Sequence, residues 1–348
     1  MMNLLKSKYT FFLLIFAITL ASCNNEENEL AVQEFDSCQG QDFAITAPDP
    51  SHPWTPNAIT LMSEQLADGI FAIYDERGAN PDLNNYPALA TSAGFVIGEN
   101  GVFMIESMAN RQLLCQVFDL IRAQTDLPIL YVGNTNSHFD HSFGNAFLPE
   151  DVQVVQHEGT VAFNETRFEE EQNFALGIWG TEQGLQEATP RPADVAVDDN
   201  GWSVDLGGIT VEAKYFGFGQ TDGDLFFYVP ERRVMWTGNS QLSEAPGVPW
   251  LLEGGAMPSL ATMAAVRDFL PEDAIIVPGH GRPTSTEALD FTVDYLETLI
   301  SEVQNSIDAG NDLEATQAAV RMTEFQGYSL WDFVHTTVNI PNTFNDLQ

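Results

Sequence analysis

Lysine is almost absent from this chain. Lys6, Lys8 and Lys214 are its only lysines in 348 residues, and 13 basic residues stand against 50 acidic ones, a formal charge of −37. Such a field repels phosphate backbones and anionic surfaces, so nucleic acid and charge-driven membrane binding are excluded as partners. Cysteine is as scarce. Cys23, Cys38 and Cys115 are too few for a disulfide framework. Cys115 lies in NRQLLCQVFDLI, whose apolar spacing is helical, and reads as a buried thiol. Cys38 reads as a linker cysteine, and a bridge between the two stays open in an oxidising compartment. Long apolar runs are missing too. Phe11–Leu20 (FFLLIFAITL) is too short to span a bilayer comfortably.

That run does have the length of a signal-peptide core. Lys6 and Lys8 precede it, and Leu20-Ala21-Ser22-Cys23 follows, which resembles the lipobox of bacterial lipoproteins. Residues 1–22 are therefore expected to be a signal peptide and Cys23 a lipid anchor. Residues 23–57, with NNEENE at 24–29 and DPSHPWTP further on, read as an acidic tether and linker. The expected location is the bacterial cell envelope, with the chain exported and facing the periplasm or the surface. The lipid anchor would be its sole membrane contact. Loss of residues 1–22 removes two lysines and no acid, which leaves a formal charge of −39.

The whole chain is 44% hydrophobic, enough for residues 58–348 to build a core. Short alternating runs read as strands: GIFAIYD, SAGFVIGE, GVFMIES, LPILYVGNT, VQVVQH, WSVDL, ITVEAKYF, DLFFYVP, RRVMWTG and AIIVPGH. Helical spacing occurs near 111–124, 260–270, 285–308 and 313–322. An acid-rich stretch at 166–199 shows neither pattern; its aromatic part, Phe168 to Gly184, reads as a lid or a surface excursion. Strands and helices recur in two halves. That pattern predicts an α/β fold of two packed mixed sheets with helices on the outer faces.

One stretch concentrates chemistry: Thr135-Asn136-Ser137-His138-Phe139-Asp140-His141-Ser142-Phe143-Gly144-Asn145. It follows a buried strand, and its two imidazoles and carboxylate within four residues can direct several ligands to one point. Nitrogen-plus-oxygen ligation suits zinc or iron.

Here the chain resembles the metallo-β-lactamase superfamily, whose hallmark is T-H-x-H-x-D-H. Gly219-Gln220-Thr221-Asp222-Gly223-Asp224 stands where the family has G-H-T-x-G-D, and Thr237-Gly238-Asn239 where it has G-D. Pro278-Gly279-His280-Gly281 matches P-G-H-G, and Ile105-Glu106-Ser107 is similar to its I-D-T. The resemblance covers residues 58 to 348 and implies the αββα sandwich.

The departures are as informative as the matches. The resemblance assigns one metal to Asn136, His138 and Gln220, two of which are amides in place of imidazoles. It assigns the other to Asp140, His141 and His280, all retained. The bridging aspartate has become Asn239. Amides are weaker ligands for zinc, so the first site is expected to be weak or vestigial. The second keeps three ligands and room for water.

The expected function is a metal-dependent hydrolase acting on a small molecule with an ester, thioester or lactam-type bond. It would use mainly one zinc, with iron or manganese as other candidates. Asp140 and His138 are the candidate catalytic residues, His138 as a proton shuttle. The alternative is an inactive binding protein on a degenerate scaffold. A di-iron redox member is disfavoured by the few ligands left. Asp224 is expected to support the 219–224 loop and His157 to be structural, with no site role for His52 or His335. Oligomeric state is not legible.

Overall fold

The computed structural model describes residues 33, 35, 36, 38, 39, 55–79 and 90–348. The expected signal peptide, Cys23, His52 and most of the tether lie outside the described residues. Among the described residues no helix is long and apolar enough to cross a membrane.

Strands with alternating side chains make two sheets. The first runs in the order β1 (Leu61–Ala67), β2 (Ile70–Asp75), β3 (Ala93–Ile97), β4 (Val102–Ile105), β5 (Ile129–Gly133), β6 (Gln153–His157) and β7 (Val195–Val197). It is antiparallel from β1 to β4 and parallel from β4 to β7. The second sheet contains β8 (Trp202–Asp205), β9 (Thr210–Lys214), β10 (Phe226–Val229), β11 (Val234–Gly238), β12 (Ile275–Pro278) and β13 (Thr284–Ser285). Its β11–β12 pair is parallel and its other pairs are antiparallel.

The period of two sorts each strand between two cores. Phe103, Phe227 and Trp236 enter the core between the sheets. Their neighbours Met104 and Phe226 face the opposite way. Met104 packs with Leu114 and Phe118 of α1 (Arg111–Arg122), and Phe226 with Met263 and Leu299 under the second sheet's helices. The remaining helices are α2 (Phe139–Ser142), α3 (Glu158–Trp179), α4 (Ala256–Phe269), α5 (Glu287–Asp308), α6 (Leu313–Ala319) and α7 (Ile340–Asp346), the last entered through a π-wound stretch, Asp332–Asn339. The result is the predicted helix–sheet–sheet–helix sandwich.

Three features differ from the sequence reading. Part of the acid-rich stretch is α3, a helix of 22 residues. It buries only Thr160 and Ala175, so it lacks the apolar stripe that reveals a helix in sequence. The strand β1 was hidden in the same way, since only Leu61 in it is fully buried. The third is a correction: Cys115 is not a free buried thiol but is bonded to Cys38, with their Cα atoms 5.6 Å apart. Phe35 stacks on Phe118 at 3.8 Å, and the Gln33 side chain accepts from Ile129 N at 2.9 Å. The end of the expected tether is therefore docked onto α1 and β5.

Candidate metal centre

Strands β4, β5, β11 and β12 run in parallel pairs, and the candidate residues other than Gln220, which lies between β9 and β10, follow their carboxyl ends. Glu106 follows β4, Thr135 to His141 follow β5, Asn239 follows β11 and His280 follows β12. This is the edge of an α/β sheet where side chains from distant segments converge. Leu225 N donates to Thr135 O at 2.7 Å and joins the edges of the two sheets there.

Asp140, His141 and His280 meet at this edge, each offering a ligand atom within 4.8 Å of the others. Asp140 Oδ2 lies 3.3 Å from His280 Nε2 and 3.6 Å from His141 Nε2. His141 Nε2 is buried and makes no hydrogen bond. A buried imidazole nitrogen turned toward a carboxylate and a second imidazole is what a divalent cation would satisfy. Two nitrogens and one oxygen suit zinc, iron or manganese. The residues present fit a metal.

The trio is held from outside. His141 Nδ1 is 3.0 Å from Glu106 Oε1, and both side chains are buried. Glu106 also accepts from Thr135 N at 3.2 Å and from the Thr135 hydroxyl. The His141 carbonyl accepts from Ser107 N at 3.0 Å and from Asn134 Nδ2 at 2.9 Å. Thr91 Oγ1 donates to Asp140 Oδ2 at 2.7 Å. His280 is clamped from both sides: its N–H donates to Leu242 O at 2.7 Å, and Thr91 forms an isolated β-bridge with it.

The fit is tight enough to constrain the backbone. Glu106 and Met108 have φ of 66° and 70°, unusual for side chains of their size. Between them Ser107 O presses on Gly144, where a Cβ would lie 1.8 Å from it. A strained turn held by Glu106 hydrogen bonds and a neighbouring glycine is the kind of geometry found at functional sites.

Charge follows this geometry. Burial opposes a charged His141, but the Asp140 and Glu106 carboxylates outweigh it and push the imidazole up to about 9 in the metal-free chain. Burial likewise opposes the Asp140 carboxylate, yet His141, His280 and His138 hold it well below the usual carboxylate range. Without a cation the trio is an ion-paired cluster.

The other predicted residues are placed differently. Asn136 does not face the trio with its oxygen, because Oδ1 accepts from His138 N at 2.9 Å. Gln220 Nε2 donates to Trp250 O at 2.9 Å, while its Oε1 is buried without a partner. His138 precedes α2, and its imidazole is not among the three converging groups. Burial pushes that imidazole down, against the pull of Asp140. Asn239 has a buried Oδ1 without a hydrogen bond. Asp224 supports the 219–224 turn, accepting from Thr221 N and Thr221 Oγ1 at 2.9 Å each and from Gln220 N. His157 caps α3 through Gly159 N at 3.0 Å and stacks on Tyr215.

Three residues of the site carried no assigned role in the sequence reading. Glu106 was visible only as part of Ile105-Glu106-Ser107, and its position just after β4 was the usable signal. Thr91 gave none. Glu171, on α3, accepts from Phe139 N at 3.2 Å, and burial pushes its carboxyl up to about 7. It sits in the acid-rich stretch that showed no pattern.

A family model described as the metallo-beta-lactamase superfamily matches residues 86–280. The chain belongs to that superfamily. A metallo-beta-lactamase from Pontibacter korlensis is similar in structure, with a TM-score of 0.51 at 16% identity over 68% of this chain and 99% of its own. The DIM-1 metallo-beta-lactamase gives 0.51 at 17% identity over 68% of this chain and 97% of its own. The stereoselective inverting sec-alkylsulfatase Pisa1 from Pseudomonas sp. gives 0.61 at 16% identity over 83% of this chain. This chain spans 50% of that sulfatase. At these identities the likeness concerns the fold.

Proposed function

We propose that the chain is a metal-dependent hydrolase of a small molecule with an ester, thioester or lactam-type bond, working with one principal cation, zinc first among the candidates. One observation carries the reading: Asp140, His141 and His280 offer three ligand atoms within 4.8 Å of one another, and His141 Nε2 among them is buried without a hydrogen bond. When bound, a divalent cation supplies Lewis-acid polarisation and acidifies water. Glu106 fixes which nitrogen of His141 faces the site, and Thr91 orients the Asp140 carboxylate. His138 stands next to the trio without belonging to it, and accepts and returns the proton that hydrolysis moves. The bond that commits Asn136 Oδ1 to the backbone favours one metal over two.

The same proposal places the chain in the cell envelope, exported and anchored through Cys23. The formal charge of −37 favours small-molecule substrates over nucleic acid.

The test is hydrolysis by the zinc-loaded full chain of a panel of chromogenic esters, thioesters and lactams. Turnover of at least one class is expected. It should vanish with a chelator and fall by about 10²-fold or more in His138→Ala, as loss of a proton-transfer group predicts. A zinc-loaded chain that turns over none of them would be a binding protein on a hydrolase scaffold.

A further inference from the structure

Asn239 stands where related chains carry a charged ligand, and the simplest reading of the sequence is that ligation has been lost there. The structure gives it another role. Its side chain is 5% exposed, and its Oδ1 is one of the buried oxygens without a hydrogen bond. A buried amide oxygen left alone costs about 1–3 kcal/mol, so such an atom points to a missing partner.

Position identifies that partner. Asn239 follows β11 and His280 follows β12, and these parallel neighbours approach closely at their ends. A Cβ on Gly279 would lie 2.3 Å from Asn239 Oδ1 and 2.8 Å from Asn239 N. Only a glycine before His280 lets the amide oxygen sit this close. The Asn239 side chain lies within interaction range of the His141 imidazole, although neither Oδ1 nor His141 Nε2 makes a hydrogen bond of regular geometry. Asn239 is therefore a neighbour of His141 and of the residue that precedes His280. Its neighbour His141 Nε2 is likewise buried and without a bond. Two neighbouring residues thus each bury an unbonded atom of ligand type, one an oxygen and one a nitrogen.

We infer that Asn239 Oδ1 is a fourth, neutral ligand to the cation held by Asp140, His141 and His280. This rests on the metal reading above and deepens it. An amide in place of a carboxylate keeps the ligand set at a single negative charge, so the bound divalent cation retains a net positive charge. An added oxygen donor also moves the set toward harder cations such as manganese and iron. The two other amides differ. Asn136 spends its oxygen on His138 N, and Gln220, whose Oε1 is also buried without a bond, is tethered to Trp250 O through its nitrogen.

The test is zinc affinity by chelator competition, with the absorption spectrum of the cobalt-substituted full chain. Wild type, His280→Ala, Asn239→Ala, Asn239→Leu and Asn136→Ala are compared, with circular dichroism to verify folding. Asn239→Ala and Asn239→Leu should each weaken zinc binding tenfold or more and change the cobalt bands. Asn136→Ala should stay within about twofold of wild type. The leucine variant keeps the volume of the side chain, so a loss shared by both variants is loss of the oxygen. Wild-type affinity and an unchanged cobalt spectrum in both would overturn the inference while leaving the three-ligand site standing. If wild type binds no zinc, or His280→Ala binds it equally well, the metal reading fails and this inference with it.

Discussion

Glu106 shows how a single side chain can organise a site without entering it. It occupies a backbone conformation with φ of 66°, and spends its carboxylate on Thr135 and on His141 Nδ1. His141 is pushed up to about 9 by Asp140 and Glu106 against the cost of burial. A histidine raised in the folded state stabilises the metal-free chain fully below its ordinary value of about 6.5, and that stability is lost as pH rises through about 9. Metal must displace the same proton, so zinc affinity should climb with pH up to about 9. In Glu106→Gln we expect the His141 titration, followed by NMR of the metal-free chain, to move down. Zinc affinity should fall by about 10- to 100-fold, as for other partners of metal-ligating histidines. A His141 titration that does not move would show that Glu106 serves the backbone alone. At this scale the sequence was legible where ligands are neighbours in the chain, as His138, Asp140 and His141 are. Glu106 and Thr91 reach the site only through the fold, and residue spacing carries no trace of such contacts.

The elements divide along the same line. Strands with one or both faces buried announced themselves by alternation, and α1 by its apolar spacing, while α3 and β1, which bury little, did not. The C-terminal helices were legible as helices, but the polar group locking them together was not. His335, taken from the sequence as irrelevant to the site, is buried at the π-wound stretch. Its Nδ1 meets the Tyr295 hydroxyl of α5 at 2.9 Å, and that hydroxyl accepts from Asn339 Nδ2 at 2.8 Å. Burial pushes His335 down to about 4. Here the sign is opposite to that of His141. The unfolded chain takes up a proton near pH 6.5 that the folded chain refuses, so stability falls as pH drops from about 6.5 toward about 4. The full span corresponds to ~3 kcal/mol, since each pKa unit is worth about 1.4 kcal/mol. Urea titrations of wild type and His335→Phe at pH 7 and pH 5 would measure it. The variant, whatever its absolute stability, should lose less on acidification, and equal losses would place the acid sensitivity elsewhere. The bridge from Cys38 to Cys115 stayed open in the sequence for another reason: two cysteines 77 residues apart meet only after the segment around Phe35 has docked on α1.

For the whole molecule, two sheets with parallel strand pairs ending at one edge gather a site from segments 174 residues apart, Glu106 to His280. The architecture was readable because the motifs occur in family order between the right strands. The chemistry was readable only in part, because three amides stand at ligand positions and sequence does not say where an amide oxygen points. The structure distinguishes them: Asn136 Oδ1 is committed to the backbone, while Gln220 Oε1 and Asn239 Oδ1 are buried without a bond and Gln220 is tethered by its nitrogen. Everything proposed for this protein depends on whether the trio binds a cation. The most direct measurement is metal stoichiometry by elemental analysis of the full chain after zinc loading and desalting, for wild type and His280→Ala. About one zinc per chain in the wild type, lost in the variant, is the predicted result. No retained zinc in the wild type, or equal zinc in both, would contradict the account.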